Sequence, residues 1–150
     1  MSVLVPIHVL AAFVWVGGMF FAYQVLRPSA GPLEPPARLA LWRRVFGRFF
    51  PWVWASVGLL LATGVAMIVI EFGNFDGASL YVSLMMSVGI VMMLLFAHLY
   101  FAPWRRFQRA LDGGDTPAAG RNLDQIRRVV AINLVLGLAT AAVGASGRFW

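Results

Sequence analysis

VLVPIHVLAAFVWVGGMFFAYQVL, residues 3–26, has no charged side chain and contains one of the two histidines of the chain. About 20 consecutive apolar residues cross a hydrocarbon core of roughly 30 Å, so this stretch predicts a membrane-spanning helix. An ionisable side chain is costly in lipid, so the helix face of His8 is predicted to point into a helix bundle. At 100° per residue, four other residues share that face: Ala12, Trp15, Met19 and Ala22.

The composition of the whole chain indicates an integral membrane protein. Hydrophobic residues make up 61% of the 150 positions and charged residues only 12%, far from the averages of soluble domains. The chain has no cysteine, which excludes disulfides, thiolate metal sites and iron–sulfur clusters. Its net charge of +6 comes from 12 arginines and 6 acidic residues. Because these arginines lie beside membrane spans, membrane topology explains them better than a nucleic-acid partner does.

Three more apolar stretches predict three further spans, so the whole chain is expected to form one transmembrane domain. The four spans cover about residues 3–26, 49–70, 80–102 and 126–144. Short connections require neighbouring helices to be antiparallel, which predicts an all-α, up-down four-helix bundle. Close helix packing is predicted for one face of the fourth helix, which carries Asn133, Gly137, Thr140 and Gly144.

Charged residues, prolines and N-cap residues predict where the helices begin and end. Arg27 and Pro28 are expected to end the first helix. Pro51 is expected in the first turn of the second helix, where a proline is tolerated. Thr116, followed by Pro117, is expected to be the N-cap of the fourth helix, which then starts in water and reaches the membrane later.

The segment between the first two spans is predicted to be a short amphipathic helix in the plane of the lipid headgroups. Its apolar residues recur at helical spacing: Leu39, Trp42, Val45, Phe46 and Phe49. Its polar side carries four arginines: Arg38, Arg43, Arg44 and Arg48. An apolar face opposite a cationic face is typical of helices that lie at a membrane interface.

The distribution of the arginines predicts the orientation of the chain in the membrane. Eleven of the 12 arginines fall in the first connection, in the third connection or at the start of the fourth span, and Arg148 is the remaining one. By the positive-inside rule, these connections are cytoplasmic and both termini face outward. The sequence thus predicts a multi-pass protein of a bacterial-type inner (plasma) membrane, in contact with lipid.

The depths of the two histidines predict separate environments for them. His8 lies about 8 Å inside the outer boundary at 1.5 Å per residue. His98 lies near the inner boundary, so the two histidines are about 15 Å apart along a core of roughly 30 Å. Two axial ligands of one haem iron lie only about 4 Å apart. One haem held by both histidines is therefore not expected. For His98, a second haem, a haem propionate contact, a proton path and a lipid contact all remain alternatives.

Three methionines are predicted at the depth of His8: Met67, Met85 and Met86. Thioethers select copper(I) and imidazole suits either oxidation state of copper, whereas histidine with or without methionine can hold a haem b. Packing alone is the simpler explanation of any single methionine, and a helix-to-helix hydrogen bond is the alternative for His8.

The predicted site residues fall into two sets. Arg127 and Arg128 either belong to the cytoplasmic positive charge that sets the topology, or they bind haem propionates or anionic lipid. The candidate cofactor-binding residues are His8, His98, Met67, Trp15, Arg127 and Arg128. The candidate metal ligands are His8, Met67, Met85 and Met86. Catalytic residues cannot be assigned from the sequence.

The residues His8-Val-Leu-Ala-Ala-Phe-Val-Trp15-Val-Gly17-Gly18 resemble the first helix of the copper resistance protein D (CopD) family. That resemblance implies copper passage across the inner membrane. The whole chain is also similar to the four-helix HemJ-type protoporphyrinogen oxidases. The similarity to that family lies in Pro51, Thr63-Gly64, His98 before a basic patch, and Arg127 leading to Asn133. It implies a b-type haem held with help from His8, and oxidation of a porphyrinogen coupled to the respiratory chain.

Two departures from the HemJ pattern argue against porphyrinogen oxidation. Ser87 stands where that family has a lysine, and Leu134 follows Asn133 where an Asn-Glu pair is expected. The first hypothesis is therefore a membrane haem b redox protein with quinone or porphyrin as partner. The alternative is copper transport or copper binding, for which a homodimer or a larger membrane complex would complete the path. A third hypothesis is a structural subunit of a membrane complex.

Overall fold

Four long helices make up the fold in the computed structural model, which describes residues 1–149. They are α1, Leu4–Ala30; α2, Pro35–Phe72; α3, Leu80–Asp112; and α4, Thr116–Ser146. Each helix is long and apolar enough to cross a membrane, and residues 1–149 contain no β-strand. The prediction of an all-α four-helix membrane bundle is therefore confirmed.

The first two helices pack antiparallel along their length. His8, near the start of α1, meets Thr63 in the second half of α2. Gly18, further along α1, lies against Phe49, which comes earlier in α2. A side chain at position 18 would collide with the ring of Phe49, so glycine here permits the close approach of the two helices.

The predicted small-residue face of α4 is where α4 packs on its neighbours. A methyl group added at Gly137 would lie 2.8 Å from Val16 of α1 and 3.1 Å from Met92 of α3. Asn133, one turn away, is buried and donates a hydrogen bond to the backbone carbonyl of Met92 at 3.1 Å. This face therefore brings α4 close to two helices at once.

The first helix extends beyond its predicted end. Arg27 and Pro28 lie inside helical structure that continues to Ala30, so the prediction that they end the helix is wrong. Residues Phe21–Leu26 form a π-helical segment, after which the N–H of Arg27 donates to the carbonyl of Ala22. Pro28 has no N–H to donate, and the wider π-helical turn before it rearranges the hydrogen bonds without breaking the helix.

The second helix is a single helix of 38 residues, which corrects two predictions. Residues 38–48 are not a separate helix in the headgroup plane but the continuous first part of α2. Pro51 lies inside the helix and not in its first turn. The predicted apolar stripe is buried against the rest of the bundle at Leu39, Trp42 and Phe46. These tertiary contacts hold residues 38–48 in the same helix as the second span. An amphipathic pattern alone does not distinguish a protein surface from a lipid surface.

The fourth helix has a different N-cap from the predicted one. The carboxylate of Asp115 accepts a hydrogen bond from the N–H of Ala118 at 3.0 Å, so Asp115 is the N-cap. Thr116 and Pro117 are the first two helical residues. The prediction of Thr116 as N-cap is wrong by one residue, because the aspartate that precedes it caps at least as well.

Aromatic side chains fill the core where α2 meets α3. Six of them are buried and form what we call the aromatic cluster: Trp42, Phe46, Phe50, Phe96, Trp104 and Phe107. Phe46 stacks on Phe50 with ring centroids 4.9 Å apart, and the ring of Trp104 meets Phe50 edge-on at 5.1 Å. Such pairs stabilise a fold by about 0.5–1.5 kcal/mol each beyond their buried area. The cluster therefore fixes α2 against α3.

Candidate functional site

The antiparallel bundle separates the candidate residues into two regions. One end of the bundle holds the α1–α2 and α3–α4 junctions and carries 11 of the 12 arginines; we call it the arginine-rich end. The opposite end, where α1 begins and α2 finishes, carries His8, and we call it the His8 end.

His8 meets a buried threonine across the interface between α1 and α2. Its Nδ1 atom lies 2.8 Å from Oγ1 of Thr63. The same hydroxyl lies 2.6 Å from the backbone carbonyl of Leu59, one turn earlier in α2. His8 is half-buried, and Trp15 and Met19 on the same face of α1 are buried. The prediction that this face points into the bundle is therefore confirmed.

The two contacts of the Thr63 hydroxyl determine which group donates in each of the two hydrogen bonds. A hydroxyl has one hydrogen to donate, and the carbonyl of Leu59 can only accept it. Nδ1 of His8 must then donate the second hydrogen bond, to the hydroxyl oxygen. In a neutral imidazole this leaves the lone pair on Nε2. Metal-binding histidines have the same arrangement, in which the nitrogen that does not bind the metal donates to a fixed acceptor.

Gly64 and Met67 lie near Thr63 on α2. A methyl group added at Gly64 would be 3.5 Å from Cε1 of His8, which is ordinary contact distance. Met67 follows Thr63 by four residues, so it lies one turn further along the same helix face. It is half-buried. The thioether of Met67 is therefore on the face of α2 that carries the partner of His8.

The other two predicted methionines lie on α3. Met85 packs towards α4, since a methyl group added at Gly144 would lie 2.8 Å from its Cε and 3.2 Å from its Sδ. Met85 and Met86 are both half-buried. Of the three methionines predicted at the depth of His8, Met67 is thus the one on the helix that hydrogen-bonds His8.

Arg127 and Arg128 line a groove at the arginine-rich end. The groove lies between α1 and α4, has a volume of about 520 Å³, and is lined by Tyr23, Arg27, Asp124, Arg127, Arg128, Ala131 and Ile132. At 1.5 Å per residue, Tyr23 lies about 22 Å along α1 from His8. One small ligand cannot contact both His8 and this groove.

Comparison with known proteins identifies the family. A sequence model of the family described as copper resistance protein D matches residues 43–146. The chain belongs to the copper resistance protein D family. The matched residues cover most of α2 and all of α3 and α4, whereas α1 with His8 lies before them. No curated protein and no solved structure matches the chain.

Membership of the copper resistance protein D family agrees with the resemblance drawn from the first helix. Together with four helices able to cross a membrane, it makes this chain a multi-pass membrane protein related to copper resistance. Within residues 1–149, no group of three or more His, Cys, Asp or Glu side chains is placed to hold a metal ion. A metal at His8 would therefore need a thioether or a ligand from another molecule.

Trp15 and His98 occupy very different positions in this copper resistance protein D family member. Trp15 is buried and meets Phe96 of the aromatic cluster edge-on at 6.2 Å. Its Nε1 atom has no hydrogen-bond partner in the part of the chain that the structure describes. His98 is exposed on α3. Trp15 is thus a core residue, and His98 is a surface residue of the bundle.

Thr63, the partner of His8, is not among the predicted site residues. Its hydroxyl is one of few polar groups in the second span, and it lies at nearly the same predicted depth as His8. Matching polar groups by depth across antiparallel spans is the rule that would have found it, because such groups satisfy each other inside a membrane protein.

Proposed function

We propose that this protein binds copper at the His8 end of the bundle as part of copper passage across the membrane. The hydrogen-bonded chain from His8 through Thr63 to the carbonyl of Leu59 carries the proposal. This chain fixes the orientation of the imidazole and leaves the lone pair of Nε2 for a metal. The membrane is taken to be a bacterial-type plasma membrane, with the arginine-rich end in the cytoplasm.

Copper(I) is the metal that best suits the residues present. The chain has no cysteine, so thioethers and imidazoles are its softest ligands. Thioethers select copper(I) among the common metal ions. Met67 lies one turn from Thr63 and supplies such a group. The family membership supports copper as the cargo.

The residues around His8 have different roles in the proposed copper site. Nε2 of His8 and the thioether of Met67 are the proposed ligands, and Thr63 orients the imidazole without touching the metal. Copper needs further ligands along its path, and the described residues 1–149 offer no three-residue His, Cys, Asp or Glu cluster. A second copy of the chain or a larger membrane complex would supply them.

A b-type haem is the second candidate for the same histidine. An imidazole whose Nδ1 donates to a fixed acceptor also suits the axial position of a haem iron. The protein would then pass electrons to or from a quinone or a porphyrin. The haem propionates would not reach Arg127 or Arg128, because the groove of those arginines lies about 22 Å from His8 along α1. The predicted propionate contact therefore lends haem no support, and the family membership supports copper.

Metal analysis and absorption spectra of the detergent-purified protein test this choice. After expression with ample haem and copper, the protein is expected to retain copper and to show no Soret band. A Soret band with reduced α and β bands, together with iron, would favour the haem protein instead. Neither metal in the sample would favour a structural subunit of a membrane complex.

Replacing the two histidines separately tests the proposed ligand. His8→Ala is expected to weaken copper(I) binding by about tenfold or more, since even residues that only support a metal ligand contribute about 10- to 100-fold to affinity. His98→Ala is the matched control and should keep wild-type affinity, because His98 is exposed on a different helix. Competition with a chromogenic copper(I) chelator gives both values. Equal affinities in the two variants would contradict the assignment.

A further inference from the structure

The groove at the arginine-rich end has a polar half and an apolar half. Its polar half carries Arg27 from α1 and Asp124, Arg127 and Arg128 from α4. Three arginines and one aspartate leave this half with an excess of positive charge. Such a groove suits an anion, and its volume of about 520 Å³ admits more than a single ion.

Two arginines of the groove, Arg127 and Arg27, are held by neighbours that leave hydrogen-bond donors unused. The Cζ atom of Arg127 lies 5.8 Å from the centre of the Trp42 ring, and one of its terminal nitrogens pairs with Asp124 at 3.2 Å. The Nε atom of Arg127 is buried and has no hydrogen-bond partner within residues 1–149. Arg27 lies 4.8 Å over the ring of Tyr23. Guanidinium groups backed by aromatic rings keep their N–H edges free for a planar or tetrahedral oxyanion.

The groove becomes apolar towards the middle of the bundle. Along α4, Ala131 and Ile132 line the groove one turn beyond Arg127 and Arg128, and Val135 follows them as an exposed residue. The matching direction along α1 leads from Arg27 past Tyr23 to Phe20 and Phe21, which are exposed at 47% and 56%. A ligand with a charged end and a long apolar end fits this gradient.

We propose that the groove binds the phosphate of an anionic phospholipid, with the phosphodiester at Arg27, Arg127 and Arg128 and an acyl chain along Ile132. The shared chemistry is that of a phosphate oxyanion with guanidinium groups, which makes short, charge-assisted hydrogen bonds. The apolar half of the groove favours a lipid over a soluble phosphate. This site lies far from His8 and does not depend on the proposed copper function.

Native mass spectrometry of the full-length protein in detergent tests the proposal. Phosphatidylglycerol and phosphatidylcholine are titrated separately, and retained lipid is counted per chain. Phosphatidylglycerol should be retained in preference. In the variant R27Q/R128Q that preference should fall by about tenfold, because each arginine near a headgroup adds a several-fold factor to binding. The control R44Q/R48Q removes the same charge from exposed positions outside the groove and should keep the preference.

A gain-of-binding variant and a soluble competitor complete the test. Asp124→Asn removes the carboxylate that competes for Arg127, so it should raise phosphatidylglycerol retention several-fold. Inorganic phosphate at millimolar concentration should not displace the lipid. Equal losses in R27Q/R128Q and R44Q/R48Q, or no gain in Asp124→Asn, would overturn the site. Full displacement by inorganic phosphate would overturn the lipid as its occupant.

Discussion

The hydroxyl of Thr63 determines which nitrogen of His8 a metal would meet. Thr63→Val removes this acceptor and keeps the branched shape of the side chain. We expect copper(I) affinity to fall by about 10- to 100-fold, the usual effect of losing the group that orients a metal ligand. The measurement is chelator competition on the purified variant.

Thr63→Ser is the control for this prediction. Serine keeps the hydroxyl that accepts from Nδ1 of His8 and donates to the carbonyl of Leu59, so copper affinity should stay within a few-fold of wild type. If Thr63→Val binds copper as tightly as Thr63→Ser, the hydrogen bond joins two helices and has no part in metal binding.

The sequence predicts the face of α1 that carries His8, but it does not predict the residue that His8 contacts. The absence of charge in residues 3–26 and the spacing of Trp15 and Met19 identify the face of His8, and burial confirms that face. The partner on α2 depends on how that helix is rotated and shifted against α1. Rotation is set by packing contacts such as Gly18 against Phe49, which a single-helix pattern does not encode.

Gly137 is the glycine of the small-residue face at which α4 approaches both α1 and α3. Gly137→Ala would place a methyl group 2.8 Å from a methyl of Val16. Valine is stiff at χ1 and cannot turn aside cheaply, so we expect a loss of about 1–3 kcal/mol in the free energy of unfolding. Unfolding in increasing denaturing detergent measures it.

Gly89→Ala is the matched control for this packing contact. A methyl group at Gly89, in the middle of α3, would meet no atom within 4 Å. Alanine is also the better helix former by up to about 1 kcal/mol. The control should therefore be as stable as wild type or more stable. A Gly137→Ala protein with the stability of Gly89→Ala would show that the small-residue face does not bring the helices close.

The N-cap of α4 is tested by substituting Asp115 and its neighbour Thr116 separately. Asp115→Ala removes the carboxylate that accepts the N–H of Ala118, and we expect a loss of about 0.5–2 kcal/mol. Thr116→Ala changes an exposed residue of the first turn and should alter stability by less than about 0.5 kcal/mol. Thermal unfolding followed by circular dichroism compares the two. A larger loss of stability in Thr116→Ala than in Asp115→Ala would show that Thr116 is the N-cap.

Helix existence is predictable from this sequence, whereas helix continuity is not. Four apolar stretches of sufficient length predict four helices. Pro28 and Pro51 suggest breaks, yet both lie inside helical structure. A proline removes one hydrogen bond and clashes with one carbonyl. Before Pro28 a π-helical turn accommodates this change, and around Pro51 the buried contacts of Trp42 and Phe46 keep α2 continuous. Those contacts exist only once the bundle has formed.

In the whole molecule, the antiparallel arrangement turns a scattered set of arginines into one charged end. Ion pairs and hydrogen bonds there join distant parts of the chain, as in Arg43 with Asp112 at 2.7 Å and Arg106 with Gln125 at 3.0 Å. The opposite end carries His8 and Thr63 inside the bundle and the acidic Glu71 and Asp76 at and after the end of α2, so its charge differs from that of the arginine-rich end. This division of charge supports an orientation in which a metal at His8 is received from one side of the membrane and the arginines face the other.

The orientation itself can be measured because the chain has no cysteine. Asp76→Cys places a single thiol in the α2–α3 connection at the His8 end, and Thr116→Cys places one at the arginine-rich end; both positions are exposed. By the positive-inside rule, a membrane-impermeant maleimide should label Asp76→Cys in intact cells and Thr116→Cys only after the membrane is opened. The reverse pattern would put His8 on the cytoplasmic side, and copper would then be received from inside the cell. Labelling of both thiols in detergent is the control, since it shows that each cysteine reacts once it is accessible.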